Sequence, residues 1–324
     1  MTWVEIGLGL QGDKRAGDYA KLAALAESQG FDVLSVFGDL MFQPPIFPLL
    51  EMAAATERVR LGAACWNPYS MHPYEIAGQV AALDLASRGR AYLGLARGSW
   101  LGEVAIAQPR PVRAVSEAAE LIAALLAGGE RGFDGEVFQL APGTRLRYPA
   151  HRRKVELLIG AWGPRMAALA GRVADEIKIG GTVNPDMVRV MRERLHAPEV
   201  GIVVGAVTVV DTDARLARAR ARAEVAMYLG VVAELDPTLD IPGELLAQVR
   251  SRVAGGDHQT AGDLIPDELL DKFAFSGTPE QVAEQAQRLI DAGVSRVEFG
   301  TPHGLTDLGG VELLGARVLP LLKR

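Results

Sequence analysis

The chain has 324 residues, with 34 Lys+Arg against 40 Asp+Glu for a formal charge of −6 at pH 7, and 49% of its residues are apolar. This is ordinary globular composition, and an acidic chain without a Lys/Arg block lacks the footprint that binding a phosphate backbone requires, so no nucleic-acid partner is expected. Cys65 is the single cysteine, which excludes an intrachain disulfide and a multi-cysteine metal site and fits a reducing, cytoplasmic setting.

The N-terminal MTWVEIGLGL has no basic lead into a long apolar core, so no secretory signal is expected. Val4–Leu10 reads as a strand, and Asp18–Gln29 as a helix with Tyr19, Leu22, Ala23 and Ala26 on one face and Gly30 past its end. Val33–Phe37 is a second strand. Pro44-Pro45 then open the apolar segment Ile46–Thr56, and Arg60–Ala64 is a third strand. Pro73 begins a helix running to Ser87, where a missing N–H costs nothing, and Ala91–Ala96 is a fourth strand. Arg131–Arg147 holds GFDGEVF, read as a β-hairpin about Asp134-Gly135. Strands follow at Glu156–Ile159, Glu176–Ile179, Gly201–Val210 and Arg296–Phe299, with helices opened by Pro164, Pro185 and Thr278-Pro279. Leu229–Leu270, punctuated by Pro237, Pro242, Gly255-Gly256 and Pro266, is a longer excursion. Arg215, Arg218, Arg220 and Arg222 read as a solvated helix face. No apolar stretch approaches the roughly 18 residues of a membrane helix, so no membrane partner is expected.

Eight such strand–helix units predict one (β/α)8 TIM barrel over residues 1–324, with insertions after strands four and seven that would wall and cover a site at the C-terminal face. Zinc-protease, nucleophile-elbow, P-loop and calcium-loop motifs are missing, no metal site is expected, and the five histidines are scattered. With few reactive groups of its own, the chain favours a cofactor that carries the chemistry. Gly160-Ala161-Trp162-Gly163-Pro164-Arg165 and Gly180-Gly181-Thr182 each follow a strand, and backbone N–H groups bared by glycine make a phosphate cradle to which Arg165 adds charge. Tight βα turns that need glycine are the competing explanation.

The runs Arg60–Pro73, Arg88–Gly98, Gly160–Asp175, Gly277–Glu280 and Phe299–Pro302, in that order, resemble the bacterial luciferase-like superfamily. Within it, the likeness is to the coenzyme F420-dependent branch that includes methylenetetrahydromethanopterin reductase. The resemblance implies a flavin or deazaflavin on the C-terminal face of the barrel, with the ring against a cis peptide matching Ala64–Cys65 and the phosphate at Gly163 and Gly180-Gly181. Asn67, Arg97, Gly98 and Trp162 join these as cofactor contacts, Arg97 for an anionic tail. Asp39 and His303 are the candidate proton-handling residues. Two acids of the reductase are replaced here by Gly9 and Gly38, with Gln11 and Asp39 as the nearest substitutes, which sets the pterin reaction apart. The expected function is hydride transfer between F420 and a small organic substrate; an FMN-dependent monooxygenase and a noncatalytic flavin-binding protein are the alternatives. A homodimer is expected, with the face near Ala77, Ala81 and Leu85 as one candidate contact.

Overall fold

The computed structural model describes residues 3–324. Its strands are β1 (Glu5–Leu10), β2 (Val33–Val36), β3 (Arg60–Ala63), β4 (Tyr92–Leu95), β5 (Phe133–Asp134), β6 (Gln139–Leu140), β7 (Glu156–Gly160), β8 (Glu176–Gly180), β9 (Gly201–Val210), β10 (Ala274–Gly277) and β11 (Arg296–Gly304). Its helices are α1 (Asp18–Gln29), α2 (Ile46–Ala54), α3 (Pro73–Ala86), α4 (Pro111–Leu126), α5 (Pro164–Val173), α6 (Pro185–Leu195), α7 (Ala214–Val232), α8 (Gly243–Ala254), α9 (His258–Asp263), α10 (Asp267–Phe273), α11 (Pro279–Asp291) and α12 (Asp307–Leu313). Parallel pairing runs β3-β2-β1-β11-β9-β8-β7-β4, and the bridges Leu61–Ala91 and Trp66–Leu95 close β3 onto β4. The result is the expected TIM barrel, with outward-facing Ile6, Leu8, Leu34, Leu61 and Ile177 packed beneath the helices.

Local signals set the helix ends. Gly30 closes α1 at φ +91°, a conformation that favours glycine. His72 caps α3 ahead of Pro73, and Thr278 and Gln281 form a capping box on α11.

Five details differ from the sequence reading. The strand β10 pairs with β9 and was not expected, because its four residues follow an insertion and give no alternation to read. The last barrel strand runs on past Phe299 to Gly304, with a register shift between Gly300 and His303. In the β5–β6 hairpin, Asp134 pairs with Gln139, so the loop holds Gly135 to Phe138 and Asp134-Gly135 is not a two-residue turn; the Glu117 carboxylate of α4 accepts from the Glu136, Val137 and Phe138 amides. Arg218 and Arg222 lie on α7 against α10, pairing with Asp267 and Asp271, so only part of that arginine run is solvated. Ala77 and Ala81 are buried in the chain's own core while Leu85 is exposed, because the small residues of α3 face the strands.

The excursion after β9 folds as α7 to α10 around a second apolar cluster of Val225, Leu229, Val249, Leu270 and Phe273, packed on β9 and β10. No helix among the described residues is long and apolar enough to cross a membrane.

Candidate active site

Most of the predicted site residues come from one arc of adjacent strands, β2, β3, β4, β7 and β8, and stand at or just beyond their C-terminal ends. Asp39 follows β2. A Cβ on Gly38 would lie 2.1 Å from the Cys65 carbonyl oxygen, so the chain passes β3 too closely there for any side chain. Gln11 Nε2 donates to Asp39 Oδ2 at 3.1 Å, which brings together the two residues that the sequence offers in place of the missing acids. Burial raises the Asp39 pKa, opposed by the Gln11 hydrogen bond and the Lys178 charge, so this carboxyl holds a proton to higher pH than a solvated aspartate.

The Ala64–Cys65 peptide is cis. Desolvation pushes the Cys65 thiol up to about 12, which keeps it protonated and makes it a small hydrophobe at the mouth. Asn67 is buried, and its Oδ1 accepts from the Tyr69 and Ser70 amides at 3.1 and 2.9 Å, so its side-chain carbonyl is engaged in closing a turn. Gly98 sits against it at φ +83°, where an added Cβ would be 3.0 Å from Asn67 Cγ.

Arg97, on the loop after β4, and Arg165, in the first turn of α5 after β7, are exposed, and neither enters an ion pair among the described residues. Gln108 Nε2 donates to the Arg97 and Gly98 carbonyls, which holds the first loop. Trp162 Nε1 donates to the Gly180 carbonyl at 3.1 Å and locks the end of β7 to β8. Gly163 is the N-cap of α5, with Pro164 in its first turn. A Cβ on Gly180 would meet nothing within 4 Å, so this strand end faces open space, whereas one on Gly181, at φ +82°, would lie 3.2 Å from Tyr228 and Val232 of α7.

His303 is not brought into this arc. It lies on β11 with 0% exposure, and Nε2 donates to the Gly9 carbonyl at 3.0 Å. Burial lowers its pKa to about 4, so near neutral pH the ring is uncharged and enclosed, poorly placed to deliver a proton to the mouth.

Sequence reasoning missed the layer beneath. Lys178 of β8 pairs with Glu298 of β11; Glu298 Oε2 accepts from Ser35 Oγ at 2.6 Å, and Ser35 lies 2.7 Å from the Tyr92 hydroxyl. The Phe37 ring covers Lys178 Nζ at 5.1 Å. Below them, fully buried Arg296 lies over Tyr92 and 3.4 Å from Glu176. A signal existed: Glu-Ile-Lys-Ile-Gly and Arg-Val-Glu-Phe-Gly alternate charged and apolar residues, whereas strands buried on both faces ordinarily read as apolar runs, so the charges must point into the barrel.

A closed parallel barrel with a glycine-opened mouth at its C-terminal face, rimmed by a carboxyl and two unpaired guanidinium groups, is a cofactor-enzyme architecture. The chain belongs to the luciferase-like monooxygenase family, whose model matches residues 2–296. It is 28% identical to a 5,10-methylenetetrahydromethanopterin reductase of Archaeoglobus fulgidus, over 99% of this chain and 100% of that one. It is 26% identical to an F420-dependent glucose-6-phosphate dehydrogenase of Microbacterium testaceum, over 93% of this chain and 91% of that one. The solved coenzyme F420 dependent tetrahydromethanopterin reductase from Methanopyrus kandleri superposes with a TM-score of 0.89, at 24% identity, and 99% of each chain is covered.

Proposed function

We propose that residues 1–324 form one catalytic domain, an oxidoreductase that transfers hydride between coenzyme F420 and a small organic substrate. The observation that carries the reading is the joining, on adjacent strands β4, β7 and β8, of open space at Gly180 with the unpaired cations Arg97 and Arg165. A long anionic cofactor needs both: room for its backbone-bound phosphate and charge for its tail. The name of the F420-dependent glucose-6-phosphate dehydrogenase among its relatives supports F420 in particular.

F420 supplies two-electron hydride chemistry when bound, so the chain's task is to hold, orient and manage protons. Gly163 and Gly180-Gly181 offer backbone N–H groups, Arg97 and Arg165 offer charge, and Ala64, Cys65 and Trp162 offer an apolar wall. Asp39, with its raised pKa and its Gln11 partner, holds the proton exchanged with substrate. Gly9 and Gly38 have no room for a carboxylate, since a Cβ on Gly9 would lie 2.6 Å from the Phe37 ring; a substrate other than the methanopterin is therefore favoured.

The family description supports a second reading, a monooxygenase, for which FMN is the alternative cofactor. Titration with F420, F420H2 and FMN side by side separates them. F420 binding at least about tenfold tighter than FMN, a difference of about 1.4 kcal/mol, is expected, and equal affinity or copurified FMN would reverse the assignment. The setting proposed is the cytoplasm. The proposed assembly is a homodimer through the outer face of α2 and α3, where Phe47, Tyr74 and Leu85 are exposed, and sedimentation of the purified chain checks it.

A further inference from the structure

We infer that the substrate half of the mouth takes an uncharged, mainly apolar molecule carrying one hydroxyl or N–H group, seated on the loops after β11, β1 and β2. This rests on the reading of the mouth as a catalytic site with the cofactor on the side of β4, β7 and β8, where Arg97, Arg165 and the opening at Gly180 lie. The other side differs in kind. Met41 is 82% exposed and Phe42 is exposed beside it, two and three residues beyond Asp39, and Leu305 and Leu308 are exposed on either side of Asp307. Three contacts join these loops: the Gln43 amide donates to the Gly12 carbonyl at 2.9 Å, Gln43 Nε2 donates to the Lys14 carbonyl at 2.8 Å, and Lys14 Nζ pairs with Asp307 at 2.7 Å. The four apolar side chains therefore belong to one tied rim.

Charge on this rim offers an anion little. The Lys14 side chain is almost wholly buried between Asp13 and Asp307, Asp39 adds a carboxyl, and Arg15, in no ion pair among the described residues, stands just before the turn into α1. The Phe37 ring covers Lys178, so the floor of this half is aromatic too. One polar need remains. Gln11 donates its Nε2 to Asp39, but its buried Oε1 accepts from no group among the described residues. A buried acceptor without a donor is costly, and a single O–H or N–H on an otherwise apolar ligand satisfies it. Met41 also sits at φ +65°, which bulky side chains seldom adopt. Strain and exposed apolar surface on the loop that carries Asp39 are costs that stability does not explain and that a ligand covering the rim recovers.

1-Phenylethanol and phenyl phosphate carry the same ring, the first with an uncharged donor and the second with an anion. Titrated calorimetrically into protein saturated with F420H2 under anaerobic conditions, where the alcohol meets no hydride acceptor, the alcohol is expected to bind at least about tenfold more tightly. Phe42→Ala and Met41→Ser, both at exposed positions, are each expected to weaken the alcohol by about five- to tenfold while F420H2 affinity stays within about twofold. The O-methyl ether of the alcohol, which lacks the donor, is expected to bind about tenfold more weakly than the alcohol, a difference that Gln11→Met removes. Absent binding of the alcohol, equal or tighter binding of phenyl phosphate, equal binding of the ether, or an alcohol affinity unmoved in both rim variants overturns the inference. A changed sedimentation coefficient in either rim variant also overturns it, by assigning these side chains to a contact between copies of the chain. Failure of the wild type to bind F420H2 overturns the cofactor reading instead, and the same titrations on the cofactor-free protein still decide the apolar rim.

Discussion

Acid sensitivity of the fold should centre on His303. Its pKa falls from an ordinary 6.5 to about 4 because the folded barrel desolvates the ring, while Asp307 and Lys14 act in opposite directions. On acidification the unfolded chain takes up this proton first. The stability that the neutral ring represents is therefore complete above about pH 6.5 and is lost progressively as pH falls toward 4. A gap of that size at about 1.4 kcal/mol per pH unit corresponds to about 3 kcal/mol. His303→Gln keeps an N–H donor for the Gly9 carbonyl and removes the titration. Urea unfolding at pH 7.5, 6, 5 and 4.5 measures the difference: the wild type should lose about 2.5 kcal/mol more than the variant across this range, mostly between pH 6 and 4.5. Parallel stability curves for the two proteins would refute the argument and mean that the ring is hydrated or already charged in the native state.

Asp39→Asn should lower kcat/KM for F420H2-dependent reduction by about 10²-fold or more while F420 affinity, from fluorescence titration, stays within a few-fold. Gly180→Leu should leave the melting temperature nearly unchanged, since the added carbon enters open space, yet weaken cofactor binding severely. Gly38→Ala should do the opposite and destabilise by several kcal/mol in urea unfolding, because its Cβ would meet the Cys65 carbonyl at 2.1 Å. Steady-state assay with methylenetetrahydromethanopterin should show little turnover; robust turnover abolished by Asp39→Asn would make Asp39 the relocated acid.

The sequence by itself determined the order of strands and helices, the barrel and the places where loops gather at its mouth. Those features follow from local regularities: apolar runs, prolines at helix starts and glycine after Gln29. Glycine spacing and the family-like runs also marked Cys65, Trp162, Gly163 and Gly180 before any contact was known. Only the tertiary structure decided what each group does there. Asp39 meets Gln11 because β1 and β2 are adjacent, and Asn67 turns its oxygen to its own loop. His303 lies one short bulge beyond a predicted strand, yet that bulge and the pairing with β9 carry it into the wall. Lys178 and Glu298 are 120 residues apart, and their pairing depends on the strand order, which leaves only β9 between β8 and β11 and turns both side chains into the barrel. Periodicity can tell which face of a strand carries a charge; which opposite charge it meets is a property of the closed barrel.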